Sequence, residues 1–337
     1  MQIATHSDIS GFAFSTLPRV LGLTFCNVWF SSVGSARAGD FNDGRDIYSL
    51  VVFTIFIVLS AVFAKRFEHT FLTKPLFCLI LGALAGIASL LPSLDFMPAI
   101  PAHMANAVLS GVGMGVLIQA IGSSFCRISG KRLFLEIVGT YLIVISMTTL
   151  LLAFPGSREL VLIVLPVLAG FCSAIILRTA LKEGEGLMRV VQDGQEQPAK
   201  KPVILIVQFL VAISLIGLVT CAMHNLSRFS GVYYLESVEF PVSAVKLLLL
   251  MCMLLVGGKS KAVRFLWVYR LTCFMLILGF LLFPLFNFTG PVPSVLTGPG
   301  HLLLSIFIWL FSISLCQVYR LSSVLIVGLS QGSLLGF

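Results

Sequence analysis

Ten stretches of roughly 17 to 24 mostly apolar residues, and an eleventh that runs to the last residue, fill nearly the whole of this 337-residue chain. The hydrocarbon core of a bilayer is about 30 Å thick and needs about 20 apolar residues per helix, so the runs have spanning length. They are continuous and do not alternate polar with apolar residues, which argues for helices over a membrane β-barrel. A soluble domain carries about 25% charged residues; here the share is 11%, against 58% hydrophobic. A single water-facing core could not hide that much apolar surface. The predicted fold class is therefore an all-α, polytopic helical bundle in a membrane. Its spans are expected near 11–33, 47–64, 71–91, 103–125, 133–153, 160–180, 202–223, 238–257, 265–287, 301–319 and 321–337.

Loop charge sets the expected orientation. Of the 22 Lys and Arg, fifteen lie in the connections after even-numbered spans, including Lys65, Arg66, Arg127, Lys131, Lys200 and Lys261. Four lie on the other side: Arg37, Arg45, Arg158 and Arg228. Cytoplasmic loops are enriched in Lys and Arg, so the N-terminus is placed in the cytoplasm and the protein in the cell (inner) membrane. The outer connections 92–102 and 288–300 hold no Lys or Arg and are rich in Pro.

The longest polar stretch, residues 181–201, divides the chain. The expected organisation is a cytoplasmic tail at 1–10, a six-helix bundle at 11–180, a linker at 181–201 and a second, incomplete bundle at 202–337. Eleven spans leave that second bundle one short of six, so a twelfth span is expected beyond Phe337. A competing reading concerns the start. Arg19, the run VLGLTFCNVWFSSVG and then Ala36-x-Ala38 have the order of a signal peptide. Phe12 and Phe14, which extend the apolar run upstream of Arg19, argue against it.

The net charge of +8 has its origin in this loop asymmetry, and no basic stretch interleaved with aromatics points to nucleic acid. The eight cysteines form no C-x-x-C pair and sit in or beside apolar runs, as small hydrophobes do. The five histidines are scattered. There is no P-loop, G-x-S-x-G, H-E-x-x-H or pair of catalytic carboxylates, so neither an enzyme nor a cofactor is expected. Trp29, Tyr48, Tyr233 and Tyr234 fall at the expected outer interface, and Trp267, Tyr269 and Tyr319 at the inner one, as interfacial anchoring predicts.

Charged groups deep in a bilayer are costly and usually face a bundle interior or a wet cavity. Arg19 falls near the middle of span one, beside Pro18, and Lys246 near the middle of span eight. All fourteen acidic residues can be placed in loops or near span ends, with Glu136 and Glu239 deepest. On this reading no mid-membrane carboxylate pairs with either cation, and both are candidates to bind a small anionic ligand through charge-assisted hydrogen bonds. Gln119 in span four, Gln208 in span seven and Trp309 in span ten complete the candidate ligand site. Each has a plainer reading as a helix–helix contact, and they bear on a ligand only if spans one, four, seven and ten line a central cavity. Gly82-x-x-x-Gly86, Gly111-x-x-x-Gly115 and Gly328-x-x-x-Gly332-x-x-x-Gly336 are small faces that let helices approach closely.

The six–linker–six plan resembles the major facilitator superfamily. The Gly/Asp/Arg-rich turn of that family between spans two and three is replaced here by Ala64-Lys65-Arg66-Phe67-Glu68-His69. A closer likeness is to the facilitator-like membrane regions of bacterial LuxR-type regulators. It is carried by the segment Leu17 to Leu23 (LPRVLGL) with Trp29 downstream, by Gly111-Val112-Gly113-Met114-Gly115, and by Leu165 to Gly170 (LPVLAG). That resemblance implies a membrane sensory module that binds a small ligand and biases a cytoplasmic helix-turn-helix domain beyond this chain. The alternative of the same fold is a secondary transporter of a small solute, and a third reading is a membrane scaffold or degenerate product.

Overall fold

The computed structural model describes residues 6–34, 45–64, 66–67, 74–91, 99–128, 130–154, 158–182, 204, 206–216, 219, 236–259, 265–285, 291–319 and 321–335. The linker at 181–201 falls almost wholly outside the described residues, as do Tyr233 and Tyr234.

The described chain is helical almost throughout. The principal helices are α1 (His6–Gly34), α2 (Arg45–Val62), α3 (Pro75–Ala88), α4 (Ala99–Phe125), α5 (Gly130–Ala153) and α6 (Arg158–Lys182). The second group is α7 (Ile206–Ile216), α8 (Glu236–Lys259), α9 (Phe265–Leu285), α10 (Pro291–Tyr319) and α11 (Ser323–Leu335). Five stretches are both long and apolar enough to cross a membrane: Pro101–Phe125, Gly130–Leu151, Leu160–Leu181, Phe240–Gly257 and Val295–Tyr319. Shorter apolar helices occupy the cores of four other expected spans.

The expected outer loops are shorter than the sequence reading placed them. Residues 291–300, read as a Pro-rich connection, are the first turns of α10, and α4 likewise begins at Ala99. Pro291, Pro293 and Pro101 fall in first turns, where the backbone N–H has no helical partner anyway, so proline starts these helices rather than breaking them. Pro166 lies inside α6 and deprives the Leu162 carbonyl of its donor. The Ser89 hydroxyl, just past α3, lies 3.2 Å from that carbonyl and donates to it.

Packing within α1–α6 runs α3 on α6, α1 on α6, α2 on α4, α1 on α5 and α3 on α4. In the second group α9 packs on α10, α8 on α10 and α10 on α11. Phe209 and Ile213 hold α7 to the same group: the Phe209 ring lies 4.4 Å from that of Phe311, and Ile213 joins Leu276, Leu304 and Ile308. The main pairings between the groups are α2·α11, α5·α8, α4·α11 and α5·α10. Raising each index of the first group by six, and lowering each of the second by six, exchanges α2·α11 with α5·α8 and α4·α11 with α5·α10. The two groups therefore meet through a pseudo-twofold arrangement.

The Gly82/Gly86 and Gly111/Gly115 faces pack as their spacing predicts, while Gly336 of the third face lies outside the described residues. A Cβ on Gly82 would stand 2.4 Å from the Pro166 carbonyl oxygen, and one on Gly170 would stand 2.7 Å from that of Cys78. Only bare backbone fits between α3 and α6. Gly111 and Gly115 bring α4 against Ser49, Phe53 and Phe56 of α2. Large apolar side chains point outward, among them Leu248, Val256, Leu281 and Val62; in water this would be an aggregating surface, and in lipid it is the contact face. Tyr48, Trp267 and Tyr269 are exposed as an interfacial belt requires. Trp29 departs from that expectation: it is fully buried, its ring near Gly113 of α4. The missing Cβ there leaves room for an indole in the core.

Candidate functional site

Three polar arrangements lie inside this apolar frame. The first joins α1 to α5. Arg19 donates from Nε to Glu136 Oε2 at 3.0 Å and from Nη2 to Oε1 at 3.1 Å. Arg132, one turn before Glu136 on α5, donates from Nε to Oε1 at 2.8 Å and from Nη2 to the Thr16 hydroxyl at 2.8 Å. Thr16 passes its own proton to Glu136 Oε1 at 3.2 Å. Two guanidinium groups thus share one carboxylate, and the cluster keeps a net positive charge. Arg19 and Glu136 are only 12% and 5% exposed, so this is a buried ion pair.

That pairing corrects the expectation that no carboxylate is available to Arg19. Helix α1 begins at His6 rather than near residue 11, and Glu136 lies six residues, about 9 Å, inside α5. The two residues meet where the middle of α1 passes the second turn of α5. Arg19 is a half-buried, ion-paired residue and its charge is already met.

The second arrangement centres on Lys246, half-buried on α8 and turned towards α10. Its Cε and Nζ would lie 3.2 and 3.7 Å from a Cβ at Gly298. Pro299, next along, interrupts the hydrogen-bond ladder of α10. A glycine and a proline together give the lysine stem a channel along the helix backbone.

The third lies where α2, α4, α10 and α11 meet. Gln119 is 1% exposed and donates from Nε2 to the Ser60 hydroxyl at 2.6 Å. Ser60 in turn donates to the Ile57 carbonyl at 2.8 Å. The Gln119 amide lies 2.9 Å from the position of a Cβ on Gly328, so only glycine fits on the facing turn of α11. One turn along α4, Gly122 meets Val327 and the Trp309 ring. Trp309 is fully buried, 6.2 Å from the Phe125 ring. The Tyr141 hydroxyl of α5 lies beside Ser305 and Trp309, but the indole N–H does not reach hydrogen-bond geometry. Ser312 and Ser330 bridge α10 and α11 at 2.8 Å.

Several buried polar atoms in this third region lack a partner: Gln119 Oε1, Trp309 Nε1 and Gln331 Nε2. Each such group costs about 1–3 kcal/mol, and the large majority of buried polar side-chain atoms are paired. Arg132, Tyr141, Ser305 and Gln331 were not singled out in the sequence, and Glu136 only as one of the two deepest acidic residues. The i, i+4 spacing of Arg132 and Glu136 was the one available signal.

The structure therefore brings Gln119 and Trp309 together around Gly122, and sets Lys246 of α8 against α10 at Gly298, eleven residues before Trp309. Arg19 stands apart in its ion cluster. Gln208 is exposed on α7, on the face it shares with Val207, Val211 and Leu215 and away from Phe209 and Ile213. No group of three or more metal-ligating side chains occurs among the described residues.

The fold is similar to that of the human organic anion transporter MFSD10 (TETRAN), with a TM-score of 0.64 and 9% sequence identity over 96% of this chain and 91% of that one. No protein-family model matches the sequence, and no curated protein matches it. The chain thus shares the polytopic, all-α fold of that transporter, consistent with a multi-pass place in the cell (inner) membrane.

Proposed function

We propose that this protein is a major-facilitator-type secondary transporter of a small anionic solute. The solute lies in the seam between two bundles, α1–α6 and α7–α11, divided at the 181–201 linker, with the N-terminus in the cytoplasm. The observation that supports this reading is the seam: two sets of helices with matching pairings meet over Gln119 and Trp309, with Lys246 facing α10 farther along the second group. Lys246 supplies the positive charge, the Trp309 and Gln331 N–H groups supply donors, and Gln119 Oε1 supplies an acceptor. Arg19 contributes long-range positive potential rather than a contact. Gln208 has no part in the site. No step of bond making or breaking is assigned to the protein.

A second reading keeps the same site but makes it a sensor of LuxR type, in which ligand binding biases a cytoplasmic output domain. It is favoured by one specific feature, the 64–69 connection, which lacks the Gly/Asp/Arg turn of facilitators.

One experiment separates the two. The full chain is reconstituted in liposomes, and uptake of a panel of small radiolabelled carboxylates and organophosphates is measured beside their binding to the same protein in nanodiscs. Saturable uptake that Lys246→Ala abolishes supports transport. Binding without flux supports sensing. If neither binding nor flux is seen for any anion, the anionic-ligand reading fails.

A further inference from the structure

Gln317, near the end of α10, donates from Nε2 to the carbonyls of Cys126 at 3.1 Å and Ile128 at 2.7 Å. Both carbonyls belong to the turn between α4 and α5. That turn is held by the Arg127 and Ile128 amides bonding back to Ser124 and Phe125, and α5 then opens at Gly130 with a φ of +61°, a left-handed conformation that glycine adopts without strain. One side-chain amide from the second group thus grips the backbone of the first at two points. Among the described residues, the glycines in tight contact across the two groups all lie in the half of their helices nearer this basic end. Gly122 meets Val327 and Trp309, Gly257 meets the Phe134 ring, and Gly328 meets Gln119 and Ile57. Behind the grip lie the unmatched atoms of Gln119, Trp309 and Gln331.

We propose that Gln317 is the clasp that holds the two groups shut at the basic end, and that the seam behind it opens when this amide lets go of the α4–α5 turn. The proposal rests on the two-bundle, facilitator-like reading given above. The closed seam is built from tight but incompletely satisfied contacts, so a two-bond side-chain clasp is enough to tip it. A side chain of similar length that still donates keeps the clasp. One that only accepts repels the two carbonyl oxygens.

Two native thiols report on the clasp. Cys126 and Cys316 flank it and are 5% and 0% exposed. Purified full-length protein is treated with a water-soluble maleimide, and modification at each thiol is followed by peptide mass spectrometry. The set comprises wild type, Gln317→Leu, Gln317→Glu, Gln317→Lys and the remote control Gln208→Leu. The clasp predicts slow modification in wild type, in the control and in Gln317→Lys. It predicts modification about tenfold faster in the Leu and Glu variants, the effect of losing two neutral hydrogen bonds. Should Gln317→Leu aggregate, the Glu and Lys pair carries the comparison alone. Equal rates for the Glu and Lys variants, or rapid modification in wild type, overturn the proposal. A protein that shows this pattern but no flux in liposomes keeps the clasp and loses the transporter reading.

Discussion

Glu136 of α5 accepts both forks of the Arg19 guanidinium of α1, at 3.0 and 3.1 Å, while Arg132 takes the same carboxylate from its open side. The three residues are not equivalent. Removing Glu136 leaves the 12%-exposed Arg19 without its carboxylate and beside a second cation, and breaking such a buried pair typically costs about 3–5 kcal/mol. Arg132 is 35% exposed, so its contribution is that of a partly solvated pair, about 1 kcal/mol or less. Thermal unfolding in detergent is expected to rank Glu136→Ala far below wild type and Arg132→Ala close to it. Equal losses would contradict the burial argument.

Ser60 and Gln119 give a second asymmetric pair. Gln119→Leu removes the orphan oxygen together with the bond to Ser60, and its effect on stability is expected to stay within about 1 kcal/mol. Ser60→Ala strands the whole Gln119 amide in an apolar seam and is expected to cost about 1–3 kcal/mol. The smaller deletion is thus the more damaging one, and denaturant titrations of the two variants check it.

The glycines divide sharply by what surrounds them. A methyl on Gly82 meets the Pro166 carbonyl at 2.4 Å, whereas one on Gly139 of α5 meets nothing within 4 Å. Gly82→Ala is expected to force α3 and α6 apart and to lower the melting temperature. Gly139→Ala is expected to raise it, because alanine is favoured over glycine inside a helix by up to about 1 kcal/mol. The two single variants, melted side by side, test the packing directly.

Ligand affinity follows charge and placement. Lys246→Gln is expected to weaken anion binding about tenfold or more, since hydrogen bonds to a charged group contribute about 1.5–3 kcal/mol. Gln208→Leu, on the exposed face of α7, is expected to leave it unchanged. Isothermal titration with the best-bound anion from the uptake panel decides between this and a site on α7.

Much of the fold was legible because lipid imposes a simple code of about 20 apolar residues per crossing, and because closely spaced glycines have few uses other than close packing. The places of Gly82, Gly111 and Gly115 follow from that code. What escaped was depth. Arg19 does lie at the middle of α1, but Glu136, six residues inside α5, reaches it, and a carboxylate so near a helix start reads in the sequence as a loop-side group. Prolines misled for the opposite reason. Pro291 and Pro293 look like loop signals in a row, yet the first turn of a helix tolerates them. Arg19 lies 117 positions from Glu136, and the partners of Gln119 and Gln317 lie at least 59 positions away in sequence, and no local periodicity encodes a meeting at that separation.

The contact between α3 and α6 has a mechanical corollary. With backbone against backbone at Gly82 and Gly170, and the Ser89 hydroxyl plugging the gap that Pro166 opens, little side chain lies between the two rods there to absorb sliding. Whatever rearrangement the molecule undergoes, these two helices must ride together as a single stiff beam, and bending has to be taken up elsewhere.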